Sequence, residues 1–360
     1  MRVWHFHNYP PISGGGLARY VLDCAQIFIR FDHAVVFSRL DDQYSNDNVV
    51  DVWRHGIKMI DLRDFSISML SSGDLIIFHL THSPFPEWRI FSKIAQSGCC
   101  AVVTALHTER EHTSYNSLSR MRQTIKLRFL RRFYDTLSEY GRVIVFTEYQ
   151  ANQVREVVDV KAVVAPMPIW LEGMTPSRPV AHKVIQPTDI LFLGERSIIK
   201  GYDRFVRLAR ASRSVRFVSL GSGTLSARSL VGAGCADCVR EVATVSYKVA
   251  MDWLRATRFL MSASRTEGWG RAIFEAFLLK IPVLSFDTVG VLRVAPVEAW
   301  FRMDSIPFIS GDGLTRSELA DLTEGLGPSL SLAQEWAYDC NRTAMIAWEQ
   351  ILKYRGEVHV

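Results

Sequence analysis

Residues 262–284 read Ser-Ala-Ser-Arg-Thr-Glu-Gly-Trp-Gly-Arg-Ala-Ile-Phe-Glu-Ala-Phe-Leu-Leu-Lys-Ile-Pro-Val-Leu. A β-rich run, Arg258–Met261, precedes the stretch, and another, Pro282–Phe286, closes it. Between them a loop holding Glu267, Gly268 and Gly270 leads into a helix in which Ile273, Phe274, Ala276 and Phe277 surround Glu275. Strand, glycine turn, helix and strand in that order are the repeating unit of a parallel sheet covered on both faces.

The same alternation extends in both directions. Upstream, a βα series opens at Asp189-Ile-Leu-Phe-Leu-Gly and continues through Val215–Leu220. In the first half, short β-rich runs lie at Val3–Phe6, Ala34–Phe37, Asp74–His79, Ala101–Leu106, Arg142–Phe146 and Val163–Ala165, separated by segments of helical periodicity. The segment Ala165-Pro-Met-Pro-Ile interrupts regular structure, which sets a hinge near residues 166–186. The expected organisation is therefore α/β with two Rossmann-like domains, 1–168 and 169–336, followed by a helical stretch, 337–360, that either domain could claim.

A chain of 360 residues with 48% hydrophobic content is long enough for two cores. Its formal charge of +5 is too small for its length to argue for a nucleic-acid partner. The six cysteines, Cys24, Cys99, Cys100, Cys235, Cys238 and Cys340, show no disulfide-framework spacing, and the N-terminus lacks the apolar core of a secretion signal. A reducing cytoplasm is expected. Cys235 and Cys238 form a CxxC, but no second ligand pair lies nearby, so no metal site is expected. No run reaches the ~18 apolar residues that a membrane span needs.

In open parallel sheets ligands bind beyond the carboxyl ends of strands, where helix N-termini present N–H groups and positive dipole ends. The first such loop carries Gly14, Gly15 and Gly16 ahead of the apolar spacing Leu17, Tyr20, Val21 and Cys24. Glycines there admit a phosphate to the backbone, although a plain turn uses the same residues. In the loop Leu193-Gly-Glu-Arg-Ser-Ile-Ile-Lys-Gly, Arg196 and Lys200 stand before a helix, as a diphosphate site or as two solvated cations. Glu275 in so apolar a helix is costly unless hydrogen-bond donors reach it; sugar hydroxyls are one source, and escape to solvent at the helix edge is the alternative. Glu267 either faces a ligand or caps the helix that follows.

Glu267 and Glu275 stand in an E-x7-E spacing, and with Ser264-Arg-Thr-Glu-Gly-Trp-Gly and Lys280-Ile-Pro-Val they resemble the signature of retaining GT-B glycosyltransferases of family 4. The resemblance takes in the glycine-rich first loop, His79 and His107 each ending a strand, the Gly194 to Gly201 loop and the helix carrying Trp348. It implies two domains facing a central cleft and transfer of a hexosyl group, mannosyl or glucosyl, from a nucleotide-diphosphate sugar to a glycan acceptor, without metal or other cofactor. By that resemblance Glu275 holds the nucleotide ribose. Glu267, Gly268, Trp269 and Gly270 face the donor sugar. Arg196 and Lys200, with Gly15 and Gly16, hold the diphosphate, and His107 sits with Glu267 at the reacting carbon.

The sequence departs from that pattern in three places. Glu195 occupies the position after Gly194 where the family carries its arginine, Thr288-Val-Gly-Val-Leu replaces a Gly-Gly-acidic loop, and Pro166-Met-Pro168 replaces a Pro-Asn-Gly hinge.

Between His112 and Tyr134 lie Arg120, Arg122, Lys126, Arg128, Arg131 and Arg132 without an acidic residue, while Leu118, Met121, Ile125 and Phe129 recur at helical spacing. This reads either as a core-packing helix with a solvated basic face or as an amphipathic helix for an anionic membrane surface. The second reading goes with a lipid-linked acceptor and a peripheral position at the inner face of a membrane. No nucleic-acid partner is expected, since no interleaved stacking aromatics accompany the charges. Two rival functions fit the same two-domain plan: a nucleotide-sugar epimerase, and a non-catalytic nucleotide- or glycan-binding protein.

Overall fold

The computed structural model describes residues 1–7, 16–37, 56–80, 100–105, 141–158, 161–171, 188–223, 225–231, 237–265, 267–287, 289–303 and 313–353. The chain divides into two units: Met1–Trp170 with Asn341–Val360, and Leu171–Cys340.

Among the described residues, unit 1 contains β1 (Arg2–His7), α1 (Gly16–Ile27), β2 (Asp32–Phe37), β3 (Lys58–Asp61), β4 (Leu75–Leu80), β5 (Cys100–Ala105), β6 (Gly141–Val145), α2 (Glu148–Val158) and β7 (Ala162–Val164). The strands form one parallel sheet in the order β3-β2-β1-β4-β5-β6-β7. Strand periodicity sends Trp4, Phe6, Ala34, Val36, Ile76 and Phe78 to one face, where they join Val143 and Val145 in a single core. The opposite face of the same three strands carries His5, His33 and His79.

Unit 2 contains β8 (Thr188–Leu193), α3 (Tyr202–Ala211), β9 (Phe217–Leu220), α4 (Ala227–Val231), β10 (Val239–Val242), α5 (Tyr247–Arg255), β11 (Thr257–Ser262), α6 (Arg271–Leu278), β12 (Val283–Ser285), β13 (Trp300–Arg302), α7 (Arg316–Thr323) and the first part of α8 (Gly327–Lys353). Its parallel sheet runs β10-β9-β8-β11-β12-β13. Both sheets start in the middle and wind outward to either side, so each has a topological switch point beside its first strand. In unit 2 that point lies between β8 and β11.

Helix α6 is buried almost all round, with Arg271 and every residue from Ile273 to Leu278 inside. It stops in a Schellman turn, in which Ile281 N–H bonds the Ala276 carbonyl (2.8 Å) and Lys280 N–H that of Phe277 (3.1 Å). Lys280 occupies the left-handed position (φ 57°) that glycine usually fills. Gln334 of α8 then donates to the Leu278 carbonyl at 2.6 Å.

The end of α8 belongs to unit 1. Asn341 grips Ile169 twice, accepting from its N–H (2.8 Å) and donating to its carbonyl (3.0 Å). Trp348, fully buried, donates to the Pro166 carbonyl at 2.9 Å and packs edge-on against Tyr20. Among the described residues no helix is long and apolar enough to cross a membrane.

Candidate active site

In unit 2 the loops after β8 and β11 meet at the switch point. The β8 loop turns at Gly194, Arg196 N–H bonds the Ser222 carbonyl (2.7 Å), and the loop ends at Gly201, which caps α3. Gly201 is left-handed (φ +70°), and a Cβ there would lie 1.8 Å from the Ala263 carbonyl oxygen, so the two loops approach closely only because this residue is glycine. Arg265 of the second loop reaches back, donating to both carboxylate oxygens of Asp203 in α3 (2.8 and 2.9 Å) and to the Ile198 carbonyl. Burial works to raise the Asp203 carboxyl; hydrogen bonds and charge from Arg265, aided by Arg207, overcome it and hold Asp203 below the ordinary carboxylate value.

Within this frame Lys200 and Glu267 pair, Nζ to Oε1, at 2.6 Å, and Ser264 Oγ donates to the same oxygen at 2.8 Å. Their side chains are 28% and 16% exposed, so the pair is shielded but reachable, unlike two solvated surface cations. Glu267 does not cap α6; that place belongs to Gly270, which makes no side-chain cap bond. Trp269 and Gly268 are buried, and Trp269 packs on Phe274. Arg196 is half-buried on the β8 loop and holds Leu225 N–H with its carbonyl.

Glu275 is only 2% exposed, which removes the alternative of escape to solvent. Its donors come from the protein: Arg271 Nε at 2.7 Å and Tyr247 Oη at 2.8 Å, both to Oε1. Burial of this carboxylate by itself therefore no longer calls for sugar hydroxyls, because an i, i+4 arginine already compensates the charge. Tyr247, at the start of α5, and Asp203 were not among the residues singled out from sequence; an Arg-x3-Glu spacing at 271–275 was the readable sign of the first contact.

The replacement loop after β12 docks onto the β11 loop. Val291 N–H bonds the Trp269 carbonyl at 2.7 Å, and Gly290 is left-handed (φ +51°) with its Cβ position 2.5 Å from that oxygen. One glycine in Thr288-Val-Gly-Val-Leu thus suffices for the close approach. Asp287, beside it, pairs with Arg204 of α3.

Unit 1 presents a different polar system. His5 bonds His79 (Nδ1 to Nε2) and His33 (Nε2 to Nδ1), each at 3.0 Å, and His33 Nε2 reaches the Phe28 carbonyl at 3.3 Å. That carbonyl can only accept, so the proton sits on His33 Nε2; with the rings neutral, His5 Nε2 then donates to His33 Nδ1 and His79 Nε2 to His5 Nδ1. Burial is the main cause that pushes all three imidazoles down, His33 to about 4, with neighbouring histidines adding to the effect on His5 and His79. Gly16 begins α1. Gly15, His107 and the basic segment with Arg120, Arg122, Lys126, Arg128, Arg131 and Arg132 lie outside the described residues.

The sequence matches no family model and no curated protein. Solved structures do match over nearly the whole chain. Sucrose-phosphate synthase from Thermosynechococcus elongatus is 16% identical with a TM-score of 0.66, covering 98% of this chain and 96% of that one. HepE of Anabaena, crystallised with UDP-glucose, is 13% identical with a TM-score of 0.65, covering 98% of each chain. WaaG, a glycosyltransferase involved in lipopolysaccharide biosynthesis, is 13% identical with a TM-score of 0.62, covering 98% of this chain and 99% of that one. The fold is GT-B. The GT-B assignment agrees with the α/β, two-Rossmann expectation and makes the Lys200–Glu267 contact part of the second Rossmann-like sheet's switch point.

Proposed function

We propose that this chain is a glycosyltransferase that moves a hexosyl group, mannosyl or glucosyl, from a nucleotide-diphosphate sugar to a glycan acceptor. The observation that supports this most is the meeting of Lys200 and Glu267, 2.6 Å apart, from two loops at one switch point. A cation for the diphosphate then stands beside a carboxylate for the sugar, as the chemistry of a sugar attached to a diphosphate requires. HepE and TarM, neighbours of the same fold at 13% and 10% identity, were crystallised with UDP-glucose and with UDP. Lys200, Arg196 and the α3 N-terminus would offset charge on the departing diphosphate. No metal or other cofactor is needed in this scheme. The leaving phosphate oxygen would take the acceptor proton, with retention of configuration.

Thermal stabilisation of the purified protein by GDP, UDP and their sugars tests the reading, because a ligand selective for the native state raises its melting temperature. Glu275→Gln, which keeps the size of the side chain and an acceptor for Arg271 and Tyr247, is expected to weaken the shift strongly in a protein still folded by circular dichroism; unchanged nucleotide affinity would remove Glu275 from the ribose site.

The acceptor we propose is lipid-linked, with the basic segment 112–134 lying on an anionic membrane at the cytoplasmic face. Each basic residue near such a surface contributes ~1 kcal/mol. Neutralising Arg128, Arg131 and Arg132 together should weaken binding to vesicles containing anionic lipid, and binding indifferent to both this change and salt defeats the idea.

A further inference from the structure

Glu275, Arg271 and Tyr247 form a closed triangle across two helices. Arg271 Nε and Tyr247 Oη both donate to Glu275 Oε1, Arg271 reaches Tyr247 Oη at 3.3 Å, and the guanidinium lies 5.4 Å from the centre of the Tyr247 ring. Arg271 and Glu275 are both buried and one turn apart on α6, while Tyr247 opens α5, whose N-terminus is fixed by Ser246 Oγ accepting from Val249 N–H. Both bonds to the carboxylate meet on Oε1 and hold that oxygen between the two helices.

We propose that Arg271 and Tyr247 are positioning residues for Glu275, setting its charge and its aim, and through them the preference for a ligand with vicinal hydroxyls. The inference rests on the assignment of Glu275 to the ribose. A buried carboxylate is costly. Left without a cation in this apolar helix, Glu275 would take up a proton and become a donor on one oxygen, no longer the acceptor-only group that reads a diol. Arg271 supplies the compensating charge from a fixed i+4 distance. Tyr247 supplies the second donor, from another helix, and so fixes the place of Oε1. A merely structural triangle would hold α5 against α6 and do nothing to selectivity.

The two roles separate by measuring a ratio. Calorimetric Kd values for UDP, GDP and ADP, and for their 2′,3′-dideoxy counterparts, give the preference for ribose hydroxyls in whichever base binds. Hydrogen bonds to a charged acceptor predict a preference of roughly 10-fold or more in the unmodified protein. Tyr247→Phe, which keeps the ring and removes only the hydroxyl, should cut that preference to about 3-fold, and Arg271→Leu should bring it close to unity. Affinity for the dideoxy compound should stay within about twofold in both variants, and Arg271→Lys should recover part of the preference. Variants that keep the full preference, or that lose both affinities in parallel with their thermal stability, overturn the positioning role while leaving the ribose assignment standing. An unmodified protein that shows no preference overturns the ribose assignment itself and this inference with it. Should Arg271→Leu fail to fold, Tyr247→Phe alone decides.

Discussion

The two sheets follow one plan and place their polar groups in opposite locations. In unit 1, β1 is flanked by β2 and β4, and the imidazoles of His5, His33 and His79 lie within the sheet itself, buried and hydrogen-bonded to one another. In unit 2, β8 is flanked by β9 and β11, and Phe192, Phe217 and Phe259 of these strands join an apolar core; Asp189, near the start of β8, is bonded to Arg216 and Arg316, while Lys200 and Glu267 stand in the loops beyond the other ends of the strands. The imidazoles inside the unit 1 sheet are committed to each other and remain neutral. At the loops, Lys200 and Glu267 pair with each other and stay partly exposed, within reach of a ligand. The difference separates a polar system that stabilises a fold from one suited to chemistry.

Acid should divide the units most strongly. His33 titrates near 4 when folded and near 6.5 when unfolded, so below 6.5 the unfolded chain binds the extra proton. Its contribution is complete above pH 6.5 and is lost as pH falls towards 4, amounting to about 3 kcal/mol from this one ring. His5 and His79, shifted the same way, add to the loss. Unit 2 has no histidine among its described residues, and its Asp189 and Asp203, held below the ordinary 3.8, weaken it only in stronger acid. Hydrogen exchange at pH 7 and pH 4.5 should therefore show protection falling in β1 and β2 ahead of β8 and β11. Equal losses would break the comparison.

A smaller effect, confined to unit 2, is expected from Gly201→Ala. The new Cβ would meet the Ala263 carbonyl oxygen at 1.8 Å in a left-handed backbone, and displacing one loop from the other should cost about 2 kcal/mol by denaturant unfolding. The accompanying expectation is a weakened Lys200–Glu267 contact, seen as reduced nucleotide affinity. The smallest change runs in the other direction. Lys280→Gly relieves a strained position at the end of α6 and should stabilise the protein by about 0.5–1 kcal/mol, less the bond from Lys280 Nζ to Ser331.

How much of this could be read beforehand followed from position in the sheet. Central strands such as Ile76–Phe78 and Ile190–Phe192 are covered on both faces and announce themselves as unbroken apolar runs. The three strands that sequence reading did not single out, β3, β10 and β13, all lie at sheet edges. Lys58-Met-Ile-Asp and Val239-Arg-Glu-Val carry charges there because an edge needs them to discourage further pairing, and those charges hide the strand. In the candidate site, Lys200, Glu267 and Glu275 were legible from loop position and spacing. Tyr247 was not, since its meeting with Glu275 depends on how α5 packs beside α6, and no local pattern encodes that. The histidine row was equally hidden: His5, His33 and His79 are far apart in sequence and become neighbours only through the order β2-β1-β4.

The double grip of Asn341 on Ile169 and the seat of Trp348 against Tyr20 and Pro166 bear on how the protein is made. Translation proceeds from the N-terminus, so the whole of residues 171–340 is synthesised before the piece that closes unit 1. The first-made unit is the last completed. Until Trp348 emerges, the surface around Tyr20 stays uncovered on the nascent chain, and a message truncated before that codon leaves unit 1, not unit 2, without its final layer.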